Sequence, residues 1–257
     1  MTAVRAAIFG LIGLPLGSFL TVVIARVPAK ESIVTPRSRC PSCGIGIRSR
    51  DNVPVISWLL LKGRCRNCDL QISPLYPLTE IATGLLFVAT SLAFADLWVA
   101  IMMALFVGLM PAIAVIDWHH KIIPNAIVYP SLLAFPAYIV AASIAGAPLD
   151  PVSGAIGFAA YGGMLFLVAV ISPRGMGMGD VKLVALIGLV LGSVGLASVL
   201  VAAGAGILLG GIGAIVALVT GATRKHAIPF GPFLAAGAVI GAFWGPELAE
   251  LYSNLLL

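Results

Sequence analysis

The sequence predicts an all-α fold: a bundle of about eight transmembrane helices that carries a small cytoplasmic zinc-binding loop module. The first observation is composition, because 60% of the 257 residues are hydrophobic, 10% are charged and the mean hydropathy is +1.10. Soluble domains carry about 25% charged residues, so this composition excludes a water-soluble globule. The other two observations are the lengths of the apolar runs and the polar loop, holding all four cysteines, that follows the first run.

Eight apolar runs approach the length of roughly 20 residues that a helix needs to cross a bilayer. They lie at 6–25, 77–95, 97–116, 126–145, 152–172, 181–194, 195–219 and 229–249. They are apolar on every side, whereas the strands of a membrane barrel alternate apolar and polar residues, so helices are predicted. The sixth run is short and the seventh is rich in glycine, which leaves seven spans as an alternative. The chain then divides into a first span (1–25), a four-cysteine module (26–76) and a transmembrane core (77–257).

The basic residues predict the orientation in the membrane. Nine of the fifteen Lys and Arg lie between residues 26 and 74, directly after the first run. With eight spans, the same side also receives Lys121, Arg174, Lys182, Arg224 and Lys225. Only Arg5 falls on the other side. Positive residues are enriched in cytoplasmic loops, so the module is predicted to be cytoplasmic and to lie beside anionic membrane lipid. The net charge of +5 is then explained by topology, and no nucleic-acid partner is expected.

The cysteines form two C-x-x-C pairs, Cys40 with Cys43 and Cys65 with Cys68, with 21 residues between the pairs. Two such pairs can place four thiolates tetrahedrally around one zinc ion. Disulfides are an alternative that a reducing cytoplasmic compartment disfavours, and an iron–sulfur centre is a more distant one. The predicted zinc is structural, because four protein ligands leave no open position and the loop has little apolar core of its own.

Three of the ten acidic residues lie within apolar runs or at their predicted inner ends: Glu80, Asp117 and Asp180. The other seven lie in the polar loop or near outer ends, where solvation is the expected role. A carboxylate in a membrane span is costly unless it faces a cavity or a partner. These three are therefore candidate functional residues.

The two aspartates are predicted to meet on one side of the bundle. Asp117 closes the third run, where a helix C-terminus disfavours an anion, and Asp180 opens the sixth after Gly177-Met178-Gly179. Helix capping would explain Asp180, but not the glycines, which permit close approach of an extended peptide. Two adjacent carboxylates share a proton, so that one acts as a base for water and the other as an acid toward a carbonyl. This is the chemistry of aspartic proteases, and a proton or cation pathway through a transporter is the alternative.

Six blocks of sequence carry a family resemblance. They are GSFLTVVIARVP at 17–28, the segment from RCPSC at 39–43 to DNVPVISW at 51–58, KGRCRNC at 62–68, YPLTE at 76–80, GMGD at 177–180 and IPFGPF at 228–233. In this order, and with Asp117 before the GMGD block, they resemble the bacterial type IV prepilin leader peptidases, which are membrane aspartic proteases.

The resemblance implies cleavage of a short, positively charged leader from prepilins or pseudopilins at the cytoplasmic face of the bacterial inner membrane, with Asp117 and Asp180 as the catalytic pair. It also implies, as in many members, methylation of the new N-terminal amine with S-adenosylmethionine. Four further residues are expected to contact the substrate: Gly177, Gly179, Glu80 and Lys182. Glu80 would attract the leader's charge, or else pair with Lys182 or Lys121. A transporter or membrane scaffold bearing a zinc module is the alternative function, and the sequence indicates no oligomeric state.

Overall fold

The computed structural model describes residues 2–172, 176–220 and 229–256, and it is dominated by helices. They are α1 (Thr2–Arg26), α2 (Ile56–Leu60), α3 (Leu75–Ala93), α4 (Leu97–His120), α5 (Asn125–Ile144), α6 (Pro151–Gly157), α7 (Gly163–Ile171), α8 (Met178–Gly192), α9 (Leu196–Val219) and α10 (Gly231–Leu256). A π-helical turn, Phe158–Gly162, joins α6 and α7 into one rod. Over the described ranges, β-structure is limited to two isolated bridges, so the predicted all-α class is confirmed.

Seven helical segments are long and apolar enough to span a membrane: α1, α3, α4, α5, the α6–α7 rod, α9 and α10. The predicted span at 181–194 corresponds to α8, whose 15 residues extend only about 22 Å, less than the roughly 30 Å hydrocarbon core. Most of α8 is buried against its neighbours. A helix shielded from lipid in this way does not have to match the bilayer thickness. The bundle therefore keeps the predicted order of eight alternating helices, seven of them of spanning length.

Contacts at the helix ends show that consecutive helices run antiparallel. At one end of the bundle, the Arg5 guanidinium donates to the carbonyl oxygen of Ala95 at 2.9 Å, and also to those of Ser91 and Phe94. At the same end, the Asp150 N–H donates to the carbonyl oxygen of Ser193 at 2.8 Å. We call this the Arg5 end. The opposite end carries the cysteine module and the first turn of α8. Arg174, Arg224, Lys225 and Ile228, used in the sequence arguments, lie outside the described residues.

Glycines allow three of the helix pairs to pack closely, and they belong to pairs with four-residue spacing, Gly13/Gly17, Gly188/Gly192 and Gly237/Gly241. A Cβ atom added to Gly17 of α1 would lie 2.7 Å from the Cα of Glu80 in α3. A Cβ atom added to Gly237 of α10 would lie 2.5 Å from the carbonyl oxygen of Ala202 in α9. Gly188 of α8 approaches the backbone of Gly157 in the same way.

The core of the bundle is built around α4 and α8. Phe106 and Ile113 of α4 are fully buried, as are Leu183 and Ile187 of α8. Both helices present apolar side chains on all sides, which is the pattern expected of helices surrounded by other helices. Because α4 ends and α8 begins at the module end, this core brings the last turn of one helix close to the first turn of the other.

Candidate active site and metal centre

Asp117 lies in the last turn of α4 and is only 5% exposed. Its Oδ2 atom accepts a hydrogen bond of 2.8 Å from the backbone N–H of Gly231, the first residue of α10. The N-terminus of α10, which carries partial positive charge, therefore faces the Asp117 carboxylate. The C-terminus of α4, which carries partial negative charge, disfavours the same carboxylate. Asp117 is thus a buried carboxylate with a specific backbone donor, and the conflict seen in the sequence is offset by a neighbouring helix.

Gly231 is a site residue that the sequence analysis did not identify individually. A Cβ atom at this position would lie 2.6 Å from Oδ2 of Asp117, so a larger residue would push the carboxylate or the helix away. The IPFGPF block contains this glycine, and its resemblance to the family was the available signal. The partner in space, 114 residues earlier in the chain, was not visible in the sequence.

Asp180 occupies the third helical position of α8, with Gly177 as the N-cap residue. The suggestion that Asp180 itself is the N-cap is therefore wrong. Its Oδ2 atom instead accepts a long hydrogen bond, 3.3 Å, from the N–H of Gly177. A carboxylate at the third position commonly reaches back to the N-cap amide in this way. Among the described residues, this weak contact is the hydrogen bond that the Asp180 side chain makes, so most of its capacity is not used by them.

The two glycines of the GMGD block have different surroundings. A Cβ atom at Gly179 would lie 3.1 Å from Cβ of Ile123 in the α4–α5 loop, so close helix-to-loop packing accounts for this glycine. A Cβ atom at Gly177 would lie 3.3 Å from Oδ2 of Asp180. Substrate contact by Gly177 and Gly179 stays a prediction.

The fold brings Asp117 and Asp180 to the same end of the bundle, as predicted. Asp117 lies in the last turn of α4 and Asp180 in the first turn of α8, and these two helix ends are adjacent. The contact of Gly179 with the loop that follows α4 reinforces this proximity. The site therefore contains two neighbouring carboxylates, one buried and tied to a backbone amide, the other on the first turn of a helix.

Glu80 has a different environment from the one expected. It is 7% exposed, and its Oε2 atom accepts a hydrogen bond of 2.7 Å from the backbone N–H of Val55. Val55 lies in the cysteine module and has a φ of 60°, an unusual conformation for a β-branched residue. Within the described part of the chain, Glu80 forms no ion pair with Lys182 or Lys121. Glu80 thus attaches the module to α3, and attraction of the leader is not the role that its contacts favour.

Lys182 also has protein partners. Its Nζ atom donates to Oδ1 of Asn125 at 2.9 Å and to the hydroxyl of Tyr129 at 3.1 Å. The same Nζ atom lies 4.8 Å from the centre of the Tyr129 ring, within the range of a cation–π interaction. Lys182 therefore links the first turns of α8 and α5.

The four cysteines come together in the module. All four are free thiols, and their sulfur atoms lie within 4.8 Å of one another. The Sγ atoms of Cys40 and Cys68 are 3.7 Å apart. A tetrahedral site with zinc–sulfur bonds of about 2.3 Å places its sulfurs about 3.8 Å apart, so this cluster has the dimensions of a zinc site. Disulfide pairing does not occur in this arrangement.

The two C-x-x-C segments fold alike. In each, the first cysteine forms two backbone hydrogen bonds with the two residues that follow the second cysteine. The carbonyl oxygens of Cys40 and Cys65 accept from the N–H of Gly44 and Asp69, and their N–H groups donate to the carbonyl oxygens of Ile45 and Leu70. Gly44 and Asp69 both have positive φ, which closes the turn. Backbone N–H groups of Cys43 and Ser42 lower the pKa of the Cys40 thiol to about 6. These amides favour the thiolate of Cys40, the form that binds metal.

An ion pair joins the two halves of the module. Arg66 donates to both carboxylate oxygens of Asp51, at 2.9 and 2.6 Å. The hydrogen bond and the charge of Arg66 lower the pKa of Asp51, so the carboxylate stays ionised at neutral pH.

Between the module and the inner ends of α1 and α3 lies an open cavity of about 1390 Å³, lined by residues that include Arg26, Tyr76 and Glu80.

The fold and the site define a class: a polytopic helical membrane protein with two aspartates at one end of its bundle and, at the same end, a four-cysteine cluster that could hold a metal ion. Residues 11–94 match the Bacterial Peptidase A24 N-terminal domain, and residues 104–215 match the Type IV leader peptidase family. The chain belongs to the type IV leader peptidase family.

Curated relatives cover nearly the whole chain. A prepilin leader peptidase/N-methyltransferase of Bacillus subtilis is 35% identical over 254 residues, covering 97% of each chain. A type 4 prepilin-like proteins leader peptide-processing enzyme of Escherichia coli is 35% identical over 252 residues, covering 88% of this chain and 89% of the relative. A prepilin leader peptidase/N-methyltransferase of Pseudomonas aeruginosa is 32% identical, covering 94% and 91%. No solved structure matches the chain significantly.

Proposed function

We propose that this protein is a membrane aspartic endopeptidase that removes the leader peptide of type IV prepilins or pseudopilins, with Asp117 and Asp180 as its catalytic pair. The observation that carries the proposal is that α4 and α8 bring Asp117 and Asp180 to adjacent helix ends at one end of a membrane bundle, where Gly179 packs on the loop that follows α4. Membership of the leader peptidase family supports the same reaction over a transporter or a membrane scaffold.

The chemistry follows from a shared proton. One carboxylate takes a proton from water while the water oxygen attacks the scissile carbonyl carbon, and the other carboxylic acid protonates the carbonyl oxygen. The tetrahedral intermediate then collapses, and a proton passes to the departing amine as the C–N bond breaks. Because Oδ2 of Asp117 is held by Gly231, Oδ1 is the atom left to face the water.

The charge pattern supports a reaction on the cytoplasmic face of the inner membrane. The module follows α1 and carries nine of the fifteen basic residues, and Asp117 and Asp180 lie at the module end of the bundle. A prepilin is a membrane helix preceded by a basic leader, so its scissile bond would reach the bundle at this face.

The cysteine cluster is proposed to hold one structural zinc ion. Its four sulfur donors fit zinc, and four protein ligands leave no position for an activated water. Without a metal, the module is held by hydrogen bonds such as those of Glu80 with Val55 and of Trp58 with Ile72, by the Asp51–Arg66 ion pair, and by few buried apolar side chains. Metal binding would therefore supply much of its folding free energy.

Methylation of the new N-terminus is proposed as a second activity, since relatives carry it in their names. S-Adenosylmethionine would supply the electrophilic methyl group. The cavity beneath the module has room for such a cofactor, and Arg26 and Tyr76 on its wall offer a cation for the carboxylate and an aromatic surface for the adenine.

The test is cleavage of a prepilin by the purified protein in detergent, followed by mass spectrometry of the new N-terminus. A product shortened by its leader supports the peptidase, and an additional 14 Da or so, the mass of one methylene added on N-methylation, would appear when S-adenosylmethionine is present. An uncut prepilin, with the enzyme folded and the metal bound, would favour the transporter or scaffold instead.

A further inference from the structure

Lys182 is the fifth residue of α8, just past the first turn, and its position near the helix N-terminus is electrostatically unfavourable. A helix N-terminus carries partial positive charge, so a cation near it is destabilising. The residue is partly buried, and its ammonium group is held by two oxygen atoms of α5, from Asn125 and Tyr129. An arrangement that works against the helix dipole requires a compensating contact, and the bonds to α5 provide it.

Lys182 does not act on Asp180 directly. Residues two positions apart lie about 200° apart around a helix axis, so the two side chains leave α8 on different sides. Over the described residues, Lys182 makes neither a hydrogen bond nor an ion pair with a carboxylate. Apart from the through-space effect of its charge, Lys182 can influence the position of Asp180 only through the backbone of α8.

The partner helix is connected to the other aspartate. Asn125 is the first residue of α5, and a four-residue loop separates it from the end of α4, which carries Asp117. That loop is constrained by Lys121, which has a φ of 54° and donates its N–H to the carbonyl oxygen of Asp117, and by Pro124. A displacement of α5 would therefore be transmitted to the last turn of α4.

Two contacts join the start of α8 to this segment. Gly179 packs on Ile123 in the loop, and Lys182 binds Asn125 and Tyr129, which lie one turn apart on α5. The two contacts flank Asp180 in the sequence. They fix both the position of α8 along its axis and its rotation about that axis, relative to the segment that follows Asp117.

We infer that Lys182 is a positioning residue: by clamping α8 to Asn125 and Tyr129 of α5, it sets the placement of Asp180 relative to Asp117. The inference rests on the proposed peptidase function. It replaces the expectation that Lys182 contacts the substrate, because two of the three donors of its ammonium group are already engaged by the protein.

The experiment compares prepilin cleavage by wild type, Lys182→Met and Lys182→Arg. Methionine keeps the unbranched length and removes the donor, whereas arginine keeps the charge and can bind both oxygens. We expect Lys182→Met to lower kcat roughly 10- to 100-fold, the loss that a misplacement on the order of 1 Å produces, with KM little changed. Lys182→Arg should recover most of that loss.

The pH profile distinguishes positioning from simple destabilisation. The two limbs of the profile report apparent pKa values that belong to the carboxylate pair and depend on its separation. Lys182→Met should change the spacing of the limbs. A variant that only unfolds more readily would scale the whole profile and leave its shape unchanged, which would overturn the inference.

A second variant, Asn125→Ala with Tyr129→Phe, removes both acceptors and leaves the lysine in place, so it carries the test if Lys182→Met does not fold. It should reproduce the kcat loss and the altered profile. A raised KM with unchanged kcat would instead make Lys182 a substrate contact. A wild type that cleaves nothing would overturn the peptidase function itself, whereas an active wild type and equally active variants would overturn the role of Lys182 alone.

Discussion

The backbone N–H of Gly231 and the Oδ2 atom of Asp117 are joined by a buried hydrogen bond of 2.8 Å that links the first residue of α10 to the last turn of α4. This bond orients the carboxylate and supplies the partial positive charge that the end of α4 cannot. It also explains why the last helix of the chain, which contributes no carboxylate to the pair, is part of the site.

Replacing Gly231 by alanine should nearly abolish leader cleavage. The added Cβ atom would lie 2.6 Å from Oδ2 of Asp117, so either the carboxylate or the start of α10 must move. A loss of roughly 100-fold in kcat is expected for a shift on the order of 1 Å. The matched control is Gly211→Ala in α9, where an added Cβ atom meets no atom within 4 Å. Equal activity of the two variants would show that the Gly231 contact is dispensable.

Glu80 should prove to be an attachment point for the module. Glu80→Gln keeps an oxygen that can accept from the Val55 N–H, whereas Glu80→Leu leaves that amide unpaired, at a cost of about 1–3 kcal/mol. Trypsin should therefore cut the basic module faster in the leucine variant and at the wild-type rate in the glutamine variant. If Glu80 attracts the leader by its charge, both variants would instead raise KM for prepilin, and trypsin would cut the module at the same rate in both.

The purified protein should contain about one zinc per chain, as a single four-cysteine site requires. Replacing both Cys40 and Cys43 by serine should release the metal, because two of the four sulfur ligands are lost. Elemental analysis measures the metal, and Ser42→Ala in the same turn should retain it. Iron in place of zinc, or disulfides in protein kept under cytoplasmic conditions, would contradict the assignment.

Reporter fusions should locate the module in the cytoplasm. A reporter within residues 30–70 should read cytoplasmic, and so should one near residue 224, which lies outside the described residues. Reporters near Asp150 and Ser193 should both read external, because the two residues are hydrogen-bonded at the Arg5 end of the bundle. An Asp150 reporter on the cytoplasmic side would remove the basis for a cytoplasmic active site.

The sequence predicted those features that depend on local pattern. Apolar runs indicated the helices, the C-x-x-C spacing indicated the metal cluster, and alternation of spans brought Asp117 and Asp180 to one end. The sequence did not reveal the partners of Glu80 and Asp117, because Val55 and Gly231 contribute backbone amides that no side-chain pattern encodes. It left the choice between seven and eight spans open for a similar reason, since burial of α8 by neighbouring helices leaves no mark on a run that is apolar throughout.

Asparagine substitution of the two aspartates tests the central claim most directly. The amide side chains of Asp117→Asn and Asp180→Asn would keep an oxygen for the backbone N–H donors but could not act as acid or base. Each single variant should lose nearly all leader cleavage, with a melting temperature close to wild type, and the double variant should be no worse, because either loss already disables a pair that shares one proton. Substantial cleavage by either folded single variant would contradict the catalytic pair.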